Sequence, residues 1–255
     1  MNSTDISFVV ISCDRYKDLW HPFFRSYDKY WSELPFKLYL ISNFESYDDE
    51  RVTTIKIGED LSYTENLING IEQIDSLWIL LWLEDCIPSK KIHINLFDDV
   101  INKAISNNNL GYLKLSNDLP LVYEPNESGL FGNIPKGVRY RSAVGMSLYR
   151  KDVLKKLLVP GDNAWDTDKS SVSDTLDEDF CALSKSFFRT PLMPYVNTVI
   201  KGMWSRAALD FLHNEGFGDL IKSRKRESLK GYLYIKLFYL WSLLLVTFKI
   251  YWYRK

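Results

Sequence analysis

Two adjacent carboxylates, Glu84 and Asp85, close an unbroken apolar run, Trp78-Ile79-Leu80-Leu81-Trp82-Leu83. A carboxylate at the end of a buried strand can hold a hard divalent cation through oxygen, with a nucleotide diphosphate supplying further ligands. The same pair also suits a solvated loop or the N-cap of a following helix, so its chemistry depends on what surrounds it. Two further acidic clusters stand downstream. Trp165-Asp166-Thr167-Asp168 sets an aromatic ring beside carboxylates. Asp177-Glu178-Asp179 overlaps Thr175-Leu176-Asp177-Glu178, which reads as a capping box: Thr175 and Glu178 would satisfy free backbone N–H groups, and the acids would complement a helix dipole. His21, His93 and His213 are scattered, with none paired at metal-ligand spacing. There is no Gly-x-Ser-x-Gly elbow, no P-loop and no Gly-x-Gly-x-x-Gly fingerprint, which argues against hydrolase, kinase and dehydrogenase chemistry.

Strands and helices must bring such residues together, and the first 100 residues alternate the two. Residues 6–12, 36–41, 52–57 and 78–83 read as strands, the first β-branched and mostly apolar as in a buried parallel strand, the last apolar throughout. Residues 19–31 read as a helix with Pro22 in its first turn, and 64–74 as a second. This predicts an α/β fold with a mostly parallel sheet flanked by helices. Ligands on such sheets bind beyond the carboxyl ends of the strands, where Asp14, Arg15, Asn43, Glu84 and Asp85 stand. The second half is more mixed. It predicts helices at 94–105, 151–158 and 176–188, strands at 110–115, 119–123 and 138–148, and loops at 129–137 and 161–173.

The bulk composition fits one large domain. Of 255 residues, 46% are hydrophobic and 25% charged, enough apolar material for a sizeable core. The net charge of −1 argues against nucleic acid as a partner. Cys13, Cys86 and Cys181 form neither a zinc pattern nor a disulfide framework, which predicts a reducing compartment. The N-terminal apolar run lacks a basic flank and reads as a strand, so no secretion signal is expected. From Lys222 onward the chain holds nine basic residues and one acidic, Glu227, giving +8 against −9 for the rest. Within this tail, residues 232–253 are mostly apolar and rich in Tyr and Trp, but Lys236 and Lys249 interrupt them. The uncharged stretch between the lysines would span only ~18 Å of helix against a ~30 Å hydrocarbon core. The division is therefore a body at 1–220 and a basic, aromatic helical tail at 221–255 that lies on a membrane surface, on the cytoplasmic leaflet of an otherwise cytoplasmic protein. Spanning the bilayer, or packing on the body or a second subunit, are the other readings of that tail.

Several stretches, in order, resemble a bacterial glycosyltransferase of the GT-A fold, of the kind encoded with surface-polysaccharide (O-antigen or capsule) genes. They are Ile11-Ser12-Cys13-Asp14-Arg15-Tyr16 with Leu19-Trp20-His21-Pro22-Phe23-Phe24, Leu38-Tyr39-Leu40-Ile41-Ser42-Asn43, Leu81-Trp82-Leu83-Glu84-Asp85, Gly161-Asp162-Asn163-Ala164-Trp165-Asp166-Thr167-Asp168 and Val199-Ile200-Lys201-Gly202-Met203-Trp204. The resemblance implies a Rossmann-type GT-A-like sheet and transfer of a sugar from a nucleotide-sugar donor to a lipid-linked glycan acceptor. It makes Glu84-Asp85 the counterpart of the acid-x-acid motif that contacts donor ribose and a metal-bound diphosphate. The implied cation is manganese or magnesium, with Asp85 its ligand. Cys86 occupies the third place of that motif, which leaves two readings: Asp85 alone reaches the metal, or the enzyme works without one. Asp14 would accept a hydrogen bond from the base, Arg15 would pair with phosphate, and Asn43 and Asn66 are further donor contacts. Lys201 would touch the diphosphate as its segment closes. An inverting transferase needs a carboxylate to take the acceptor proton. Asp168 falls where the family has an acidic residue, with Trp165 as a platform for the acceptor sugar; Glu178 and Asp179 are the alternative bases. A catalytically inactive membrane-bound scaffold of the same fold, or a nucleotidyltransferase, are the other functions this sequence suits.

Overall fold

The structure, a computed structural model, describes residues 5–116 and 119–254. The first half contains β1 (Ile6–Ile11), α1 (Lys17–Tyr30), β2 (Lys37–Ser42), β3 (Val52–Lys56), α2 (Tyr63–Glu72), β4 (Trp78–Leu83), β5 (Cys86–Pro88) and α3 (Ile94–Ile105). Then follow β6 (Leu110–Lys114), β7 (Glu124–Pro125), β8 (Phe131–Asn133), β9 (Ser147–Arg150), α4 (Lys151–Leu157), α5 (Ala164–Lys169), α6 (Val172–Thr175) and β10 (Asp179–Leu183). The chain finishes with β11 (Tyr195–Asn197), β12 (Val199–Ile200), β13 (Met203–Trp204), α7 (Arg206–Asn214) and α8 (Leu229–Thr247).

Nine strands form one sheet in the order β3-β2-β1-β4-β9-β6-β10-β8-β7. β3, β2, β1 and β4 are mutually parallel, as are β6 and β10. β9 runs against both β4 and β6 and so joins the two parallel groups. This is the mostly parallel α/β sheet that the strand–helix alternation predicts. β1 and β4 are apolar but for Ser7, which bonds Ser76, because both of their faces are covered. Phe8 points to one side, where it meets Trp31 and Trp82 at ring-centroid distances of 6.2 and 5.9 Å. Its neighbour Val9 points to the other, among Ile41, Ile71 and Leu81. α1 absorbs Pro22 in its interior, since a 3₁₀ turn at Asp14–Tyr16 starts the helix earlier than predicted. Burial of Trp20, Phe23, Phe24 and Tyr27 on one face offsets the lost hydrogen bond.

Several second-half expectations are corrected. Residues 176–188 are not a helix: Phe180, Cys181, Ala182 and Leu183 are buried in β10, between β6 and β8. A short apolar run carries no period that separates a buried strand from a helix, and here both faces are covered. The capping box therefore does not form. Thr175 Oγ1 instead donates to the carbonyl of Val172, and Glu178 pairs with Arg150 and Lys156 at 2.9 and 3.1 Å. Residues 119–123 are irregular, with a strand only at β7. Of 138–148 only the end joins the sheet, and the 161–173 segment contains α5 and the start of α6. The 138–146 loop is pinned by Arg141, 2% exposed, whose guanidinium donates to the carbonyls of Ile134 and Ser173 and lies 4.3 Å from the Phe180 ring centroid.

The tail forms a helix, α8, capped by Ser228 Oγ accepting from Gly231 N. It is long and apolar enough to cross a membrane by length and composition, and most of its apolar surface is exposed, Leu233, Leu237, Leu240 and Leu244 among it. After α8 the chain reverses at Lys249, φ 53°, and returns to the body. Tyr253 bridges to Val138, Arg139 N donates to Trp252 O at 2.9 Å, Arg254 N donates to Gly137 O at 2.8 Å, and the Arg254 side chain pairs with Asp174. At the other end, Glu227 N donates to Trp204 O at 2.8 Å. The helix is thus tied to the body at both ends.

Candidate active site

The sheet brings the carboxyl ends of β1, β2 and β4 to one edge. β4 stops at Leu83, and Glu84-Asp85 make a turn before β5, which pairs antiparallel with β11. Three hydrogen bonds hold that turn. Trp82 Nε1 donates to Cys86 O at 2.6 Å, and Thr198 gives both its N–H and its hydroxyl to Asp85 O, at 2.7 and 2.8 Å. The carboxylates are set by backbone contacts on both sides rather than left on a free loop.

They face a cavity of about 290 Å³ lined by Ser12, Cys13, Tyr16, Asp60, Tyr63, Asn66, Glu84 and Asp85. Glu84 is 8% exposed, and across the cavity the Ser12 hydroxyl accepts from Trp20 Nε1 at 2.8 Å and donates to Cys13 O at 3.4 Å. Burial, and then the charge of Asp85, push the Glu84 carboxyl well above its ordinary range. Burial lifts Asp85 to about 6. Two acids confined in this way favour a counter-charge. Among the described residues no three Asp, Glu, His or Cys side chains converge as a metal site. A cation here would therefore take oxygens from Glu84 and Asp85 and its other ligands from substrate phosphate and water. The pair of hard oxygen donors fits that role.

A cation of the chain already acts on this pair. Arg224 lowers the pKa of both carboxyls by its charge. Its guanidinium lies 4.7 Å from the Tyr16 ring centroid and 5.5 Å from that of Trp204, and it pairs with Asp18 at 2.5 Å. Its Nε is buried without a hydrogen-bond partner. The segment carrying it is laid along β13 by Trp204 N donating to Lys225 O. In the sequence Arg224 belongs to the basic cluster of the tail; nothing there signals that it folds back to Tyr16 and the acidic pair.

Asp168 also reaches this region. α5 packs on α2, where Thr64 N and Oγ1 donate to the carbonyls of Asp162 and Val159. The Tyr63 hydroxyl, buried without a partner, has its pKa raised by burial and then by the charges of Asp168, Glu84 and Asp85. Tyr63 itself is in the cavity wall with Glu84 and Asp85. Val144 N donates to Asp168 Oδ1 at 2.9 Å. Trp165, one turn before Asp168 on the same short helix, is 63% exposed, as a sugar platform requires.

The other predicted residues fare differently. Asp14 and Asn43 lock to each other: Asp14 N donates to Asn43 Oδ1, and Asp14 accepts from the backbone N–H groups of Asn43, Phe44 and Glu45. Asn43 Nδ2 donates to Gly58 O. These side chains fasten the β1 and β2 ends together. Arg15 is exposed beside them. Asn66 lines the cavity, but its Nδ2 donates to Asp60 Oδ1 and its Oδ1 accepts from Leu61 N, so it holds the loop over the cavity. Lys201 is exposed at the tip of the β12–β13 hairpin with φ 51°, a conformation that costs a lysine about 1 kcal/mol. Glu178 and Asp179 are not brought to the site. Asp179 pairs with Leu110 at the amino end of the parallel strands, the sheet edge opposite Glu84.

The buried pair carries a pH signature. A carboxyl whose folded pKa exceeds its unfolded value contributes stability below the unfolded pKa and loses it as pH rises through the folded value. The double variant Glu84→Gln/Asp85→Asn is therefore expected to match the wild type near pH 4 and to exceed it at pH 8. The shift of Asp85 from 3.8 to about 6 alone corresponds to roughly 3 kcal/mol. Chemical denaturation of both proteins in metal-free buffer across this range checks it; a gap independent of pH would show that the acids are not confined.

No protein-family description matches the chain, and no curated protein matches its sequence. Solved structures similar to it include residues 1–349 of TarS from S. aureus, 10% identical, TM-score 0.44, over 71% of this chain and 58% of that one. A Drosophila β1,4-galactosyltransferase 7 variant in complex with manganese, UDP-Gal and xylobiose is 10% identical, TM-score 0.40, over 89% and 82%. A cytidylyltransferase from Leptospira borgpetersenii is 10% identical, TM-score 0.40, over 64% and 68%. The chain spans about three fifths of the TarS fragment. Likenesses of this degree concern the arrangement of strands and helices; the chemistry rests on the cavity and its side chains.

Proposed function

We propose that the chain is a nucleotide-sugar-dependent glycosyltransferase of the GT-A type that works on a lipid-linked glycan in surface-polysaccharide assembly. The observation that carries this reading is the cavity at the carboxyl ends of β1 and β4, with Glu84 and Asp85 in its wall beside Tyr16, on whose ring the Arg224 guanidinium packs, and Tyr63. The donor's nucleoside enters beside Tyr16, Tyr63 and Asn66, and its diphosphate meets Asp85 and Arg224. Lys201, exposed at the tip of the hairpin that follows Thr198, is the further cation this reading assigns to the phosphate once the donor is bound. A divalent cation held by Asp85, with Glu84 beside it, would supply added neutralisation of the diphosphate.

In the transfer, the acceptor hydroxyl oxygen attacks the anomeric carbon as the bond from that carbon to the phosphate oxygen breaks. The electron pair leaves on the diphosphate, where Arg224 offsets the growing charge. The hydroxyl proton passes to the Asp168 carboxylate, and Trp165 offers its ring to the acceptor sugar. The exposed apolar face of α8, tied to the body at both ends, supports lying on a membrane surface, with the cytoplasmic leaflet as its side.

A panel of nucleotide sugars, tested for thermal stabilisation with and without Mn²⁺ or Mg²⁺, tests the reading. At least one is expected to raise Tm by a few degrees, as binding at about 100 Kd adds ~2.7 kcal/mol. Stabilisation by nucleoside triphosphates but by no nucleotide sugar would instead identify a nucleotidyltransferase. No stabilisation by any would leave a scaffold.

A further inference from the structure

A second, larger cavity of about 860 Å³ opens between α8 and the β11–α7 segment. Its lining divides by chemistry. Arg206, Arg226 and Lys236 supply three cations, while Tyr232, Ile235 and Tyr239 present an apolar strip along α8. Asp210 and Glu227 also line it, so three cations face two carboxylates; Glu227 is buried, its Oε2 accepting from Arg206 N and its Oε1 without a hydrogen-bond partner. Arg206 is the first residue of α7, whose amino end is capped by Ser205 Oγ on Ala208 N and by Glu227 Oε2 on Arg206 N, so the Arg206 side chain is what that end brings to the cavity. The Arg206 guanidinium lies 5.8 Å and the Lys236 ammonium 5.5 Å from the Tyr232 ring centroid, which gathers the charges at one end of the strip. Arg206 Nε is buried without a hydrogen-bond partner.

The cavity adjoins the catalytic edge. Asn197 and Ser205 are in its wall, and Ser205 N donates to the carbonyl of Thr198, the residue whose N–H and hydroxyl hold Asp85 O. A soluble anion would use the cations but not the strip along an exposed helix; a neutral lipid would use the strip but not the cations. An amphiphile with a phosphorylated head and a long hydrocarbon chain uses both.

We infer that this groove binds the phosphate or diphosphate head and first hydrocarbon units of the lipid that carries the acceptor, with the rest of the chain leaving along α8 into the membrane. The inference rests on the transferase reading, and it adds where the lipid carrier sits.

The test uses the full chain and farnesyl diphosphate as probe, with binding followed by tryptophan fluorescence. Saturable binding is expected, about tenfold or more tighter than farnesol or inorganic diphosphate alone. Arg226→Gln/Lys236→Gln, two exposed positions, is expected to weaken the probe about tenfold while leaving nucleotide-sugar stabilisation unchanged. Equal binding by variant and wild type, equal binding of inorganic diphosphate, or displacement of the probe by UDP would each overturn the assignment. A wild type that binds the probe as described but no nucleotide sugar would support the groove and overturn the transferase reading.

Discussion

Asp85→Asn is expected to lower sugar transfer by about 10²- to 10³-fold, with the fold intact and Tm at pH 8 unchanged or raised. In the proposed donor site its carboxylate meets the diphosphate, at the end of a strand buried from Trp78 to Trp82. The backbone of Asp85 is held by Thr198, so the amide variant keeps the turn and loses only the charge. The loss should fall on kcat more than on KM, since the charge on the diphosphate grows in the transition state. Loss of activity together with unfolding would point to a structural role. Full activity would move the active site elsewhere.

Arg224→Gln is expected to lower kcat by about 10- to 10²-fold, at the lower end of what removal of one charged contact to a leaving group costs. The guanidinium is held by Asp18 and the rings of Tyr16 and Trp204, and its positive charge offsets a little of the rise that burial imposes on the acids' pKa values. Two readouts separate this role from packing. Arg224→Lys keeps the charge and should restore part of kcat. In Arg224→Gln, the pH at which Asp85 titrates should rise from about 6, because the cation that lowered it is gone. A variant with unchanged kcat and an unmoved titration would assign Arg224 to the structure alone.

The acidic pair was legible in the sequence because a buried strand ends on it, and hydrophobic continuity is a local signal. So were β1 to β4 and the helices between them. What was lost depends on contacts distant in sequence. Arg224 lies far along the chain from Glu84 and reads as tail charge until the β13 pairing folds it back. Asp14 and Asn43 have the residue types of base readers, yet each satisfies the other across two strand ends. Phe180 and Leu183 fit a helical period, but a strand partner on each side decides the outcome. That misreading also placed Glu178 and Asp179 near the chemistry, whereas β10 carries them to the opposite edge. Asp168 was singled out only by a motif resemblance, and its helix, α5, packs on α2 rather than lining the cavity.

The two-ended attachment of α8 changes what the tail can do. A helix whose flanks both bond to one globule cannot cross a bilayer unless residues 250–254 first leave Gly137, Val138 and Arg139. Lying along the surface needs no such release.

The most direct measurement is a crystal structure with the nucleotide sugar that stabilises the protein most. The base is expected in the cavity beside Tyr16, Tyr63 and Asn66, with the diphosphate between Asp85 and Arg224. A nucleotide bound away from Glu84 and Asp85, whether in the groove under α8 or at the opposite edge beside Glu178, would contradict the assignment of this edge as the donor site.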